Sequence, residues 1–378
     1  MYVLVIPSWY FDPGSESIAG RNFHALALAL RDHDMDARIF FAHLSMTDPV
    51  KVHMSYDTED GVPTFRVRHW FPPKVHKYII TQWVEKYASL LINYILEYGK
   101  PDVIHAQSYQ AAMVAEVIKI KTGIPYIYTE HLSDFLHDRI PVAYRFAIKK
   151  GITHANRMTA VSPMLRDQLS EYVAGNIDVI PNFYNSDIFK INTREKHKAF
   201  TWVSVGEPAF VKGYDILMEA FGKLVNENPD AEMQLILIDD ILERPDLVSI
   251  AEKYKVDHLV FWKGLLSQEE IADIFHHSHA YVSSSRFETF GTAMVEAQAC
   301  GLPIVATRTA GAEFILQSEE QGILTATENA DALKDAMHKL FVRYQQYSAE
   351  RISQLIYDRF NRDLITKQWI SLYKKVIA

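Results

Sequence analysis

The feature that most constrains this chain is an alternation of short apolar runs with amphipathic helical segments, which occurs twice. In the first half, the runs VLVIPS (3–8), ARIFFAH (37–43) and YIYTEH (126–131) are separated by segments with helical periodicity. In the second half, WVSVG (202–206) and MQLILID (233–239) begin a new series. Buried strands that alternate with amphipathic helices form parallel, doubly wound sheets. We therefore predict an α/β fold with two Rossmann-like, doubly wound domains.

The two series divide the chain into three predicted segments. An N-terminal domain covers residues 1–190, a second domain covers 191–358, and a final helix within 359–378 crosses back to the first domain. The polar, irregular stretch 181–200 is the predicted hinge. Parallel sheets bind ligands outside the carboxyl ends of their strands. We therefore expect the two domains to face a central cleft.

The charge distribution limits the classes of partner. Residues 1–190 contain 19 Lys and Arg against 20 Asp and Glu, whereas residues 191–378 contain 20 against 27. Such an acidic second half argues against a nucleic-acid-binding protein, which needs a basic face to neutralise phosphates. No apolar run approaches the roughly 20 residues that cross a membrane as a helix.

Two features bear on the compartment. The N-terminal MYVLVIPSWY has no basic leader and no small-residue cleavage site, so it is predicted to be a buried strand and not a signal peptide. The single cysteine, Cys300, fits a reducing compartment and is predicted to be a small buried side chain. We expect a cytoplasmic protein, with a peripheral position on the inner face of the membrane as an open alternative.

The stretch RFETFGTAMVEAQACGLPIVAT (286–307) has the pattern of an anion site. It follows the strand-like AYVSSS (280–285), and a helix is predicted to begin around Gly291–Thr292 and to end at Gly301. The free N–H groups and the dipole of a helix start favour a phosphate.

Two acids flank this turn, Glu288 before it and Glu296 roughly 6 Å along the helix from Thr292. An ionised glutamate repels a phosphate but accepts hydrogen bonds from a pair of hydroxyls. Sugar hydroxyls on one side of a diphosphate and ribose hydroxyls on the other would satisfy both acids, which indicates a nucleotide-sugar site. Taken singly, each acid fits an ordinary loop or helix position equally well.

Glu288-Thr-Phe-Gly, Glu296 and the following AQACGLPIVAT resemble the signature of glycosyltransferase family four, retaining nucleotide-sugar transferases with the two-domain GT-B fold. Seven other stretches resemble further motifs of that family. They are IPSWYFDPGSESIAGRNFHALALAL (6–30), PDVIHAQS (101–108), PYIYTEH (125–131), MTAVSPML (158–165), VIPNFYNSDIF (179–189), VGEPAFVKGYDILMEAF (205–221) and WISLYKK (369–375). The resemblance therefore covers most of the chain.

The resemblance implies three catalytic residues. Glu288 would contact the hydroxyls of the transferred sugar, Lys212 would neutralise the leaving diphosphate, and His131 would lie near the sugar and the reaction centre. A lone histidine at such a position is otherwise a packed or hydrogen-bonded one.

The remaining donor-binding residues also follow from the resemblance. Glu296 would bind the ribose diol, and backbone groups of Phe290, Gly291 and Thr292 would face the sugar and the diphosphate. Gly20 would let a loop of the N-terminal domain approach the diphosphate closely.

The sequence departs from the family pattern at two places. Glu207 stands where the family usually has an arginine that binds the diphosphate, so either another cation such as Arg21 or Arg286 substitutes, or phosphate binding is weaker. Asp239 and Asp240 replace a glycine-rich turn; we interpret them as a solvated pair at a strand end and predict no metal site.

The segment RVRHWFPPKVHKYIITQWVEKY (66–87) combines five Lys and Arg with one acid and several aromatics. This composition suits a membrane interface with anionic lipids or a lipid-diphosphate acceptor. A surface loop and a helix packed through its aromatics explain it equally well. The residues predicted for the acceptor or membrane side are Arg66, Arg68, Trp70, Lys74 and Lys77.

The resemblance implies a retaining, metal-independent transferase without a cofactor. It would move a sugar from a nucleoside-diphosphate sugar to a sugar, glycolipid or lipid-diphosphate acceptor, with cell-surface polysaccharide or glycolipid assembly of the bacterial type as the expected role. No nucleic-acid partner is expected. Two alternatives stay open: a nucleotide-sugar epimerase of the GT-B fold, and a non-catalytic protein that binds sugar nucleotides.

Overall fold

The structure is a computed structural model that describes residues 1–11, 20–45, 52–71, 79–135, 140, 142–206, 210–238 and 245–378. These residues form two compact units. Unit 1 comprises Met1–Pro181 together with Ile365–Ala378, and unit 2 comprises Asn182–Leu364. The predicted boundaries at 190 and 358 differ from these limits by at most nine residues.

Unit 1 contains a sheet of eight strands in the order β3-β4-β2-β1-β5-β6-β7-β8. Its strands are β1 (Tyr2–Pro7), β2 (Asp36–Ser45), β3 (His53–Glu59), β4 (Val62–Trp70), β5 (Val103–Gln107), β6 (Tyr126–Glu130), β7 (Arg157–Ala160) and β8 (Ile177–Val179). All neighbours pair in parallel except β3, which runs antiparallel to β4. The order reverses at β1, between β2 and β5.

The helices of unit 1 connect these strands. They are α1 (Arg21–Asp32), α2 (Ile79–Tyr98), α3 (Ser108–Thr122), α4 (Arg145–Thr153) and α5 (Pro163–Tyr172). The central strands are buried on both faces, which explains why β1 reads as an unbroken apolar run instead of an alternating one. The predicted parallel sheet is confirmed, but the hairpin of β3 and β4 was not predicted.

Unit 2 contains a fully parallel sheet of six strands in the order β11-β10-β9-β12-β13-β14. Its strands are β9 (Phe200–Val205), β10 (Met233–Ile238), β11 (Val260–Lys263), β12 (Ala280–Ser283), β13 (Ile304–Thr307) and β14 (Gly322–Thr325). Its helices are α6 (Tyr214–Glu227), α7 (Pro245–Lys253), α8 (Gln268–His277), α9 (Thr292–Ala299), α10 (Ala310–Ile315), α11 (Ala330–Val342) and α12 (Ala349–Phe360). This is the predicted doubly wound topology, and its order reverses at β9, between β10 and β12.

The last helix, α13 (Arg362–Ile377), packs in unit 1 from Ile365 onward. Its side chains Trp369 and Tyr373 lie against the imidazole of His105, which is fully buried in β5. Because burial lowers the pKa of His105 to about 3, the ring is neutral.

A chain of hydrogen bonds fixes the proton positions around His105. The hydroxyl of Thr159 donates to the carbonyl of Tyr128 at 3.1 Å, so it accepts from the hydroxyl of Thr129 at 2.7 Å. Thr129 in turn accepts from Nε2 of His105 at 2.6 Å. The Nδ1 lone pair of His105 is then left to accept from the hydroxyl of Tyr373, 2.7 Å away. The network joins β5, β6 and β7 to the last helix.

Tyr373→Phe removes the only described donor to Nδ1 of His105 while keeping the ring that packs beside it. A buried acceptor left without a donor costs about 1–3 kcal/mol, so we expect the free energy of unfolding to fall by that amount. Urea denaturation measures the change, with Tyr357→Phe as the control because Tyr357 is half exposed on α12. Equal losses in the two variants would contradict the network.

Candidate functional site

The two charged catalytic residues predicted for the second half of the chain lie together in unit 2. Lys212 ends a single 3₁₀ turn, Phe210–Lys212, that follows β9, and Glu288 follows β12. Nζ of Lys212 is 2.7 Å from Oε2 of Glu288, and the side chains are only 26% and 18% exposed. The pair therefore lies at the carboxyl ends of adjacent strands, at the point where the strand order reverses and where such sheets bind ligands.

Two close contacts hold the loops that carry this pair. The hydroxyl of Ser284 donates to the carbonyl of Lys212 at 2.8 Å. Gly213, at φ 62°, approaches so closely that an added Cβ would lie 2.3 Å from the carbonyl oxygen of Ser284. Only glycine fits there, since a side chain would clash and would also be strained at positive φ. The loops after β9 and β12 are thereby fixed against each other.

The helix predicted to begin around Gly291–Thr292 begins at Thr292, as α9. Gly291 precedes it at φ 90°, and no side chain among the described residues caps this end. The ring of Phe290 is buried, and the N–H of Gly311 donates to the carbonyl of Glu288 at 2.9 Å. The first turn of α9 thus offers backbone N–H groups beside Glu288, which is the arrangement that binds anions.

Glu296 lies within α9 and is 8% exposed. Its carboxyl group accepts no hydrogen bond from the residues that the structure describes, and burial raises its pKa to about 8. Most of the Glu296 population is therefore neutral at pH 7. A buried carboxyl without a partner is costly in either form unless a ligand supplies hydrogen-bond donors.

The predicted end of this helix is also confirmed. The last helical residue is Ala299, and Gly301 adopts a left-handed conformation at φ 87° directly after the cap residue Cys300. Cys300 is buried and free, as predicted.

Arg286, one of the two cations suggested as a substitute for the family arginine, is already engaged. Its guanidinium donates to both carboxylate oxygens of Asp215, at 2.9 and 2.8 Å, and to Glu328 at 3.1 Å, and it stacks on the ring of Phe210. Arg286 therefore links the first turn of α6 to the segment that carries Glu328. Arg21 is exposed, with its guanidinium 5.8 Å from the ring centre of Phe11.

Glu207, Asp239 and Asp240 lie outside the described residues. Within the part of the chain that the structure describes, no three His, Cys, Asp or Glu side chains are grouped so that they could hold a metal ion.

Two further predicted residues lie at the carboxyl edge of the sheet of unit 1. Gly20 immediately precedes α1 at φ 77°, and an added Cβ would lie 2.7 Å from the carbonyl oxygen of Trp9. His131 follows β6, and its ring packs edge-on against Trp9 and Phe23. Burial lowers the pKa of His131 to about 3, so its imidazole is neutral.

Two neighbours of His131 were missed in the sequence. Nε2 of His131 is 2.7 Å from Oε1 of Gln107, at the end of β5, while Nδ1 is buried and has no hydrogen-bond partner among the described residues. The carboxylate of Glu130 accepts the backbone N–H groups of His131 and Leu132. The only feature of the sequence that could have indicated Gln107 and Glu130 is that each is a polar residue at the end of an apolar run.

The prediction for Arg66 is wrong. Its side chain is 9% exposed on β4, where it donates to both oxygens of Glu59 at 2.6 Å and to the carbonyl of Phe11 at 2.6 Å. The guanidinium also lies 4.5 Å from the ring centre of Tyr10. Because the chain after β1 covers this part of β4, Arg66 faces protein and not solvent.

The other residues of that group differ from Arg66. Arg68 is exposed on β4, and Trp70, at its end, is 42% exposed. Lys74 and Lys77 lie outside the described residues. Among the described residues, none of the helices combines the length and the apolar character that crossing a bilayer requires.

Comparisons with known proteins agree with this geometry. Residues 19–182 match the model of the glycosyl transferase 4-like domain, and residues 185–354 match that of glycosyl transferases group 1. A similar relative is the D-inositol 3-phosphate glycosyltransferase of Paenarthrobacter aurescens, 22% identical over 363 residues that cover 87% of this chain and 86% of the relative.

Solved structures show the same fold. The sucrose-phosphate synthase of Thermosynechococcus elongatus superimposes with a TM-score of 0.81 at 20% identity, covering 99% of both chains. HepE of Anabaena in complex with UDP superimposes with a TM-score of 0.76 at 18% identity, covering 99% of this chain and 100% of HepE. The fold and the two matched domains define a glycosyltransferase with the GT-B fold. The chain belongs to glycosyltransferase family four.

The buried Arg66–Glu59 pair leads to a stability test. Arg66→Met leaves the carboxylate of Glu59 buried without a cation, and breaking a buried pair in this way costs about 3–5 kcal/mol. Arg68→Met is the matched control on the same strand, where an exposed position should change stability by about 0.5 kcal/mol or less. Urea denaturation of both variants measures the difference. Similar losses in the two would contradict a structural role for Arg66.

Proposed function

We propose that this glycosyltransferase moves a sugar from a nucleoside-diphosphate sugar to a hydroxyl acceptor with retention of configuration. The observation that carries the proposal is the Lys212–Glu288 pair beside the uncapped start of α9. A cation and a helix start attract a diphosphate, whereas a carboxylate accepts hydrogen bonds from sugar hydroxyls. The complex of HepE with UDP supports a nucleotide donor for this fold.

Donor binding would replace one set of contacts with another. Without ligand, Lys212 and Glu288 neutralise each other at 2.7 Å. A donor offers a diphosphate to Lys212 and sugar hydroxyls to Glu288, so both side chains keep a partner when the pair separates. The carboxyl group of Glu296 accepts no hydrogen bond from the described residues, and it would accept hydrogen bonds from the two ribose hydroxyls.

In the proposed reaction, the bond between C1 of the sugar and the diphosphate oxygen breaks, and negative charge develops on the diphosphate. Lys212 and the N–H groups at the start of α9 stabilise that charge, since they are already aimed at the position where it appears. The acceptor hydroxyl bonds to C1 from the side that the diphosphate leaves, and its proton passes to a diphosphate oxygen. Because protein groups supply the positive charge, we propose that the reaction requires no metal.

Unit 1 would recognise the acceptor. Four buried polar atoms that have no hydrogen-bond partner among the described residues follow three adjacent strands there: Oγ of Ser108 and Oε1 of Gln110 after β5, Nδ1 of His131 after β6 and Oγ of Ser162 after β7. Buried polar atoms are seldom left unpaired, so a ligand rich in hydroxyl groups fits this edge. A sugar, a glycolipid or a lipid-diphosphate acceptor has such groups.

Fewer residues now support the predicted contact with a membrane. Among the described residues it rests on Arg68 and Trp70, because Arg66 is buried. A peripheral position at the membrane and a role in cell-surface polysaccharide or glycolipid assembly stay predictions.

The test of the proposal is a turnover assay with a panel of uridine, guanosine and adenosine diphosphate sugars. Lys212→Ala should lower kcat by about 10²–10³, the usual effect of removing one group that stabilises transition-state charge. Lys223→Ala is the matched control, because Lys223 also lies 2.7 Å from a carboxylate, that of Asp331, but this pair links α6 to the first turn of α11. Glu288→Gln should be as harmful as Lys212→Ala.

Different failures point to different functions. Full activity in Lys212→Ala would remove this residue from the mechanism, and an inverted anomer in the product would exclude retention. Conversion of the donor into an isomer without any acceptor would favour an epimerase. Binding of the donor without release of nucleotide would favour a non-catalytic protein.

A further inference from the structure

We propose that Glu130 and Gln107 are positioning residues that hold His131 in one orientation and one tautomer for sugar transfer. Both lie at the carboxyl edge of the sheet of unit 1, at the ends of the adjacent strands β6 and β5. The inference rests on the proposed function, in which a substrate hydroxyl meets the imidazole of His131.

Glu130 fixes the backbone that carries His131. Its side chain is fully buried, and Oε1 accepts the N–H groups of His131 and Leu132, each at 2.8 Å. The other carboxylate oxygen accepts the hydroxyl of Tyr128. One carboxylate therefore holds both amide groups of the turn that leaves β6, so the position of the imidazole depends on it.

Gln107 fixes the tautomer of His131. An amide oxygen only accepts hydrogen bonds, so the contact of 2.7 Å between Oε1 of Gln107 and Nε2 of His131 places the proton on Nε2. Nδ1 is then an unprotonated, buried acceptor that receives no hydrogen bond from the part of the chain that the structure describes. Since burial keeps the ring neutral, His131 can accept a hydrogen bond from a substrate hydroxyl but carries no positive charge near pH 7.

Because the ring of His131 stays neutral, Glu130 is the group of this arrangement whose charge changes near pH 7. Burial raises the pKa of Glu130 to about 7, and hydrogen bonds from Tyr128 and from the two amide groups oppose that rise. The ionised carboxylate is the form that these donors favour. As the pH falls below 7, Glu130 takes up a proton, its hold on the turn weakens, and His131 loses its fixed position.

Few other groups around Glu130 change charge in this range. The phenols of Tyr128 on β6 and Tyr109 on α3 stay neutral, because burial raises the pKa of each. The hydroxyl of Tyr109 donates to the carboxylate of Asp134 at 3.2 Å. Two further side chains of this region are the neutral imidazole of His131 and the phenol of Tyr172 on α5.

The kinetic test compares pH profiles of kcat at saturating donor between pH 5.5 and 8.5, so that the effect of Glu296 on donor affinity does not enter the profile. For one controlling proton, wild-type activity at pH 6 should be about a tenth of the plateau above pH 8. Glu130→Gln keeps an acceptor for the two amide groups but does not titrate, so its profile should be flat over this range. Glu116→Gln is the control, since Glu116 is also buried in unit 1 but pairs with Lys150.

A double-mutant cycle separates positioning from a general structural role. If Glu130 acts through His131, then Glu130→Gln should have no further effect on kcat in a His131→Ala background. Additive effects, or an acid limb that persists in Glu130→Gln, would overturn the proposal.

A second measurement does not depend on turnover, so it separates this inference from the proposed function. The ¹⁵N resonances of the histidine rings, with His131 assigned by its loss in His131→Ala, should show the Nε2–H tautomer of His131 throughout this pH range. They should also shift with a midpoint near pH 7 in wild type and not in Glu130→Gln. Protonation of the His131 ring in this range, or a shift that survives in Glu130→Gln, would overturn the proposal.

Discussion

The contact between Lys212 and Glu288 is the interaction on which the account of this protein depends. It joins residues 76 positions apart in the sequence, and it exists because β9 and β12 are neighbours where the strand order of unit 2 reverses. The close approach of Gly213 to Ser284 holds the two loops, and α9 begins beside them. A doubly wound sheet thereby brings a cation, a carboxylate and a helix start to one edge.

Unit 1 has the same topology around its reversal point but presents a different surface at the corresponding edge. Where unit 2 has a charged pair, the buried groups at this edge of unit 1 that have no partner among the described residues are neutral: Nδ1 of His131, Oε1 of Gln110 and the hydroxyls of Ser108 and Ser162. Charged side chains suit the anionic sugar nucleotide, whereas neutral groups that donate or accept hydrogen bonds suit the hydroxyl groups of the second substrate. The difference in chemistry between two similar sheets is the physical basis for assigning them different substrates.

The sequence predicted what depends on local patterns. Buried apolar runs located the strands, and glycine located both ends of α9, at Gly291 and Gly301. Features that depend on contacts between distant residues could not be predicted from local patterns. Arg66, for example, belongs to a basic, aromatic run, but the chain near Phe11 covers its side chain. Glu130 was missed for the same reason, because neighbouring strands bury a residue that reads as an ordinary strand end. The assignment of Lys212 and Glu288 to one donor site followed from the family resemblance and not from spacing, and their mutual contact was not predicted.

The most direct test of the central claim is calorimetric titration of the protein with UDP, GDP and ADP between pH 6.5 and 9. The account predicts that one nucleotide binds and that, below the Glu296 pKa of about 8, binding releases a proton, because ribose hydroxyls favour the ionised carboxylate. Wild-type affinity should therefore fall toward low pH, by up to about tenfold per unit, more steeply than that of Glu296→Gln. Absence of binding by all three nucleotides, or the same pH dependence in both proteins, would contradict a donor site at Lys212, Glu288 and Glu296.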